Sequence, residues 1–586
     1  MALPTDEPLE FHIQKTERAY VKLSLGIIAA LCVLVAICWG GRRIYVRWDE
    51  RKLMREAHAA FDKNDLRWAA LAAQRAYSVD SASVDACRTL ADIAEKQNSD
   101  AAIEWRRRAL AIVPDSLGDR LALARTALRF QQTKIAAEAL GKVLPNEQKN
   151  ADFQSVAAHL ALLQNDNPTA GEHLREAARL APDDPHRQLE LAEFQLRSDD
   201  AATRAQGLAL AKKLQSNAAV RIDALHVLLS DAMRHHDDGA SIELAKQLEA
   251  APNAPDADRL LALGIFRAFN APEFAAALTR LENDSTKSAA RAEKLIGWLN
   301  AHGLALVAID WSARLPDEIL SNVALRFALA DSYVQLRDWK NLRALLERGS
   351  WDRAEPFRLA LLAKVAHETG DETGWEKNWD AAVSQADDDV ERLKILETLA
   401  FQWNWGAKGA GVLWNLADHE ETAKDSLEQL YNYYAKERDT TGLYRALTRL
   451  LAILPNDLKV QNNFAQVALL LKVERKRALD LARAVHQKQP QNAAFASTYA
   501  FALYQNGDLP GALKTMGALS REQLRDPSIA AYYGYLLAMA GRKTEATQFL
   551  DAAKTAQLLP EEERLVAEAR TIISPPKPYQ GYSGGT

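Results

Sequence analysis

Several short stretches of the sequence carry residue types that can do chemistry, and the spacing around each decides what it can be. Gly581-Tyr582-Ser583-Gly584-Gly585 has the letters of G-x-S-x-G, the turn that presents a nucleophilic serine for acyl transfer. That geometry needs a strand before the turn and a helix after it, and no strand pattern precedes these residues. Gly406-Ala407-Lys408-Gly409-Ala410-Gly411 is rich enough in glycine to suggest a phosphate cradle. It follows no β-strand pattern and lacks the G-K-[ST] ending that would bring a lysine and a hydroxyl to the phosphates. His235-His236-Asp237-Asp238 offers the donor types of a metal site but precedes Gly239, as a solvated turn between helices would. His419-Glu420-Glu421 lacks the second histidine of a zinc-protease helix. Three cysteines, Cys32, Cys38 and Cys87, are too few for a disulfide scaffold or a four-cysteine zinc site. The expectation is a chain with no catalytic residues, no metal and no cofactor.

What remains is a long chain that must be doing something by shape. At 586 residues it exceeds a single hydrophobic core, so it is several domains or one array. Its 48% hydrophobic and 26% charged residues place it among folded chains. The net charge of -5 gives no basic footprint for nucleic acid. One segment stands apart. Residues 23–41 are 19 residues without a charge, and as a helix they span about 28 Å, close to the thickness of a bilayer core. Lys22 and Arg42-Arg43 flank the run, with Trp39, Tyr45 and Trp48 at interfacial positions. The tail 1–22 carries Asp6, Glu7, Glu10 and Glu17 and no small-residue cleavage site follows the run, so a retained single-pass anchor is expected rather than a signal peptide. The chain would then touch the lipid bilayer through residues 23–41. Lys15, Arg18 and Lys22 precede the run; Arg42, Arg43, Arg47, Arg51, Lys52 and Arg55 follow it, which leans the large C-terminal part toward the cytoplasm.

Beyond the anchor the alanines keep step. Ala69, Ala102, Ala136 and Ala170 are 33, 34 and 34 residues apart, and Ala478, Ala512 and Ala546 are 34 and 34 apart. Around them runs a helical apolar period, broken by a Gly-Asp turn and resumed. Pro114, Pro182 and Pro490 stand 12 residues past their alanines, where a proline ends a second helix. Small residues let two helices approach closely, and pairs that cannot bury their apolar faces alone must stack. In this the chain resembles the tetratricopeptide repeat (TPR) family, whose 34-residue unit is a helix-turn-helix. The resemblance implies an all-α fold, a TPR-like α-solenoid forming a right-handed superhelix, here with one N-terminal transmembrane helix. The expected layout is a tail (1–22), the transmembrane helix (23–41), regular repeats (50–183), degenerate Trp-rich repeats (184–455), regular repeats (456–555), a capping helix (560–573) and a disordered tail (574–586).

In TPR proteins the first helix of each unit lines a concave groove. Carrying those positions over gives Val460, Asn463, Phe464 and Val467, then Ala494, Ser497, Thr498 and Phe501, then Ser528, Ala531, Tyr532 and Tyr535. Asn463, Phe464, Phe501, Tyr532 and Tyr535 are the candidate binding residues. No Lys or Arg stands among these positions, so the family's carboxylate clamp is in doubt, and an amphipathic helix or apolar peptide suits the groove better. The same aromatics would equally pack within the solenoid. Nearer the anchor, Arg51, Arg55, His58 and Arg125 mix with Asp85 and Asp92, and no specificity is legible there. Nine of the 13 tryptophans fall between Trp298 and Trp414, either as a glycan-stacking surface or as filling for gaps that small residues no longer close. Pro575-x-x-Pro578 is a short recognition motif or a plain terminus. The expected function is a membrane-tethered, non-enzymatic TPR scaffold of a bacterial envelope. It would bind a protein or peptide partner at the inner membrane, in an assembly or biogenesis complex; a glycan-binding module of polysaccharide export is the alternative.

Overall fold

The computed structural model describes residues 46–574. Every regular element among them is an α-helix or a short 3-10 turn, with no strand. No described helix is long and apolar enough to cross a membrane. The apolar run 23–41 lies outside the described residues, as does the tail 575–586 with its serine and proline motifs.

Helices such as Val84–Lys96, of 13 residues, are too short to hold their shape alone in water. They persist because each packs against its neighbours in sequence as a hairpin, and each hairpin against the next. The hairpins gather into two compact units, Met1–Asn283 and Asp284–Thr586. In the first, Ala151–Leu163 pairs with Asn167–Leu180 and lies beside the first helix of the preceding hairpin, Leu117–Arg129. In the second, Pro527–Met539 pairs with Lys543–Ala552 and lies beside Ala493–Gln505. A continuous core runs through this second unit from Ala360 to Ala569.

One turn recurs throughout. A residue in the left-handed region is followed by an aspartate whose carboxylate accepts the backbone N–H three residues on. Asn64-Asp65, Asn165-Asp166 and His236-Asp237 have φ of 59°, 60° and 54° at the first residue. Arg337-Asp338, Gly370-Asp371, Arg438-Asp439 and Gly507-Asp508 repeat the arrangement at 54°, 78°, 57° and 88°. In all seven the aspartate caps the second helix of the hairpin. This explains His235-His236-Asp237-Asp238 without a metal: it is a capped turn, and His235 bonds back to the Asp231 carbonyl at 2.9 Å. Among the described residues no three His, Cys, Asp or Glu side chains converge as metal donors.

Four residues past the cap comes the residue that sets the helix spacing. In the regular repeats it is alanine, fully buried at Ala69, Ala170 and Ala512. In the middle it becomes Ser241, Leu342 and Trp375, so the phase is kept while the alanine is lost. Gly409 holds the same place after Trp405. A Cβ there would lie 2.7 Å from the Phe401 ring, so the glycine-rich stretch is a close helix contact rather than a phosphate loop. Pro114, Pro182 and Pro490 fall two residues beyond the ends of Ala101–Ile112, Asn167–Leu180 and Arg475–Lys488.

Candidate binding groove

Four hairpins build the far end of the second unit, and their first helices are Glu420–Glu437, Leu458–Leu470, Ala493–Gln505 and Pro527–Met539. The candidate residues sit on the last three, and the structure separates them. Phe464 is buried against Tyr444, with the Arg477 guanidinium 4.8 Å from its ring centre, so it belongs to the layer between helices. Phe501, Tyr532 and Tyr535 are also buried, but as one cluster: the Phe501 ring meets Tyr532 at 5.2 Å and Tyr535 at 6.4 Å. Asn463 is half-buried and donates to the Tyr431 hydroxyl at 3.1 Å.

What covers the two tyrosines is the chain's own last helix, Pro560–Ile573. The sequence reads it as a cap on the end of the array. It packs on both helices of the last hairpin, Pro527–Met539 and Lys543–Ala552, as a cap does, and side chains of its first turn also meet residues of the earlier hairpins. Glu562 is buried and its carboxylate takes three hydrogen bonds, from Tyr532 OH (2.6 Å), Gln466 Nε2 (2.9 Å) and the Leu559 N–H (2.8 Å). Glu563 pairs with Arg438 at 2.6 Å, and Thr440 Oγ1 donates to Glu561 across 121 residues of sequence. Further along the helix, Tyr535 OH meets Tyr504 OH at 3.3 Å and Glu568 at 3.5 Å. Pro560 suits a first helical turn, and three carboxylates there face the positive end of the helix dipole.

Electrostatics keep the tyrosines as donors. Burial, and then the Glu562 charge, push the Tyr532 hydroxyl well above the ordinary phenol range; burial and the Tyr504 hydroxyl do the same for Tyr535. Beside the first turn of the last helix lies a cavity of about 660 Å³, lined among others by Tyr431, Lys436, Arg438, Asn463, Gln466 and Ser528. Gln466, Glu562, Arg438 and Thr440 were missed by position-matching. Gln466 adjoins a groove position, but only the folded chain brings Glu562 to it.

The tryptophans resolve toward packing. Trp311, Trp351, Trp379 and Trp405 are buried, and none of the nine is exposed. Each half-buried ring lies against neighbours. Trp298 stacks on His302, Trp339 packs into the core around Leu342, and Trp414 bonds the Tyr434 hydroxyl at 2.9 Å under Arg445. Trp375, Trp379 and Trp403 all lean on Trp405, at 5.3, 5.6 and 5.0 Å. Trp375 occupies the place of the missing alanine and packs on Trp405 and His367.

The first unit carries a different surface. There the first helices are joined by charge. His58 faces Asp85 at 3.4 Å, Arg88 holds Asp119 at 2.6 Å, and Arg187 reaches Asp152 at 2.6 Å. His226 continues the series, 3.0 Å from Asp258. Arg88 holds the buried Asp119 carboxyl below its usual range by hydrogen bonding. Cys87, buried beside this row, has its thiol raised by burial.

Compared with known proteins, residues 474–534 match the tetratricopeptide repeat family model. The chain therefore carries tetratricopeptide repeats, and this stretch spans the second helix of one hairpin through most of the first helix of the next but one. No curated protein matches it. Among solved structures it is similar to PilF of Pseudomonas aeruginosa, at 17% identity over 38% of this chain and 98% of that one, TM-score 0.29. The Cut9–Hcn1 hetero-tetramer of the APC/C matches at 13% identity over 79% and 98%, TM-score 0.25. Naa15/Naa10 bound to HypK-THB matches at 15% identity over 89% and 78%, TM-score 0.29. Overlaps this low carry no argument about this chain.

Proposed function

We propose that the chain is a non-catalytic scaffold that binds a protein partner through the C-terminal row of first helices, held at a bacterial inner membrane by residues 23–41. The observation that carries the reading is that this row already grips a helix. Tyr532, Gln466, Tyr535 and Arg438 all engage Pro560–Ile573 through side chains rather than through apolar contact alone. Directed hydrogen bonds of this kind select a register, which is what recognition of a helix in a groove requires. Tethering would confine the search for the partner to the membrane surface and raise its effective concentration. An envelope assembly or biogenesis complex is the setting that combines a single anchor with a long binding array.

The test is site-specific photo-crosslinking from Ser528, an exposed cavity-lining position, in the full chain in its native membrane. A discrete cross-linked protein band, lost when the same group is placed on the exposed position Lys142 of the first unit, is the expected result. Labelling of lipid alone would sink the reading. Reporter fusions at the C-terminus, active on one side of the membrane only, test the cytoplasmic lean of the flanking charges.

A further inference from the structure

The last helix is bound like a ligand and buried like a visitor. Pro527–Met539, beneath it, buries every residue from Ile529 to Ala538, on all sides. In a stack of hairpins the first helix ordinarily keeps one face open; here the last helix closes it. Pro560–Ile573 itself buries only Glu562 and Ala569. Its other holds are half-buried apolar side chains, Leu565, Val566 and Ile573, hydrogen bonds from Thr440 to Glu561, from Tyr535 to Glu568 and from Arg570 to the Leu550 carbonyl, and exposed ion pairs such as Arg438–Glu563. Exposed pairs of that kind contribute little. A non-helical stretch, Ala556 to Leu559, joins it to the body, with Leu558 buried against Ala530 and Ala531.

We propose that Pro560–Ile573 is a resident plug of the groove, and that the partner is a helix of the same chemistry which takes its place. The lining specifies that chemistry. The partner helix has acidic residues in its first turn, with a carboxylate at the third helical position to enter the slot between Gln466 and Tyr532. Arg438, paired to Glu563, and Lys436, on the cavity wall, supply the complementary charge. Three and four residues on, apolar side chains take the places of Leu565 and Val566. This rests on the reading of that row as the partner-binding face and adds to it the partner's chemistry and an internal competitor. Because the plug is covalently attached, the apparent affinity for a partner is lowered by the fraction of time the groove is open.

Two measurements on the full chain in detergent test it. In hydrogen exchange of the unaltered chain, amides of 560–573 should exchange at least about tenfold faster than those of 529–538, as expected for an element that opens on its own. In the second, a labelled synthetic peptide of residues 558–574 is titrated onto the unaltered chain and onto Glu562→Lys, which unseats the plug. The variant should bind the peptide about tenfold or more tightly than the unaltered chain, and a peptide carrying Glu562→Lys should bind neither. Equal exchange of the two helices, or equal peptide binding by the two chains, overturns the proposal. A concentration-dependent complex between the variant and the unaltered chain, with the unaltered copy's last helix in the variant's groove, overturns the partner in favour of a second copy. Should Glu562→Lys fail to fold, the exchange of the unaltered chain decides alone. Cross-linking to a protein from Ser528 together with a slow-exchanging last helix overturns the plug and leaves the proposed function standing. A fast-exchanging last helix with no protein captured at Ser528 does the reverse.

Discussion

The two units use the same hairpin and cover their rows of first helices in opposite ways. The first unit stitches its row together with the ion pairs Arg88–Asp119 and Arg187–Asp152 and with the imidazole–carboxylate contacts His58–Asp85 and His226–Asp258, all between successive hairpins. The second places rings and amides there, Tyr431, Asn463, Gln466, Tyr532 and Tyr535, and its own last helix bonds the last three. A charged row satisfies itself and stays wet. A row of tyrosines and amides has donors and apolar faces to spare, and something must lie on it. Recognition is therefore expected where the repeats are least charged on this face, and mechanical continuity where they are most charged.

Substitutions can break that contrast at different strengths. The largest effect is expected at Phe501, whose ring joins both tyrosines to the core. Phe501→Ala should cost about 3–5 kcal/mol, read as loss of exchange protection in the second unit while the first unit's amides are unchanged. Next comes Glu562→Ala, which leaves the Gln466, Tyr532 and Leu559 donors without their acceptor. About 2 kcal/mol is expected, with Tyr532 becoming reactive to a phenol-directed reagent. A smaller effect belongs to the first unit. Arg88→Met should cost about 1 kcal/mol, a value discounted because half of the arginine is in solvent.

That variant also has a pH signature. The Asp119 carboxyl is depressed in the folded chain, so its contribution is complete above its unfolded value near 4 and is lost as pH falls through the lower folded value. Melting temperature followed downward from pH 5 should fall less steeply in Arg88→Met than in the unaltered chain; parallel curves would mean that the pair does not stitch the row. The smallest effect is expected from Arg438→Ala. Its exposed pair with Glu563 should be worth under about 0.5 kcal/mol in melting, while exchange of 560–573 speeds up measurably.

Much of the helical layout was legible because it depends on local rules. A capping aspartate, a left-handed residue before it and a proline after the second helix act within a few positions of themselves. The middle of the chain shows how a readable signal can be overlooked. Judged by alanine it is irregular, yet Asp237, Asp338, Asp371 and Asp439 cap their helices as Asp65 and Asp508 do. The cap is kept because four N–H groups need an acceptor at every helix start. The alanine is free to change where another side chain finds partners at that place, as Trp375 does on Trp405. The groove was half legible. Positional matching put Phe464, Tyr532 and Tyr535 on one row and left open whether they line a groove or pack within the solenoid; in the structure all three are buried.

The sequence by itself determined that the described chain is helical, hairpin after hairpin, at a spacing near 34 residues, because capping and close packing are enforced within each repeat. It also determined which charges stand one repeat apart, and so made the ladder of the first unit available. Only the tertiary structure decided what those residues are for. Glu562 is 96 residues from Gln466 in sequence, and Thr440 is 121 from Glu561. No local rule spans such distances. They are set by how successive hairpins stack, which brings the first turn of the last helix to Arg438 and Thr440. The helix that reads as an end cap also brings its first turn, once folded, to Gln466, Arg438 and Thr440.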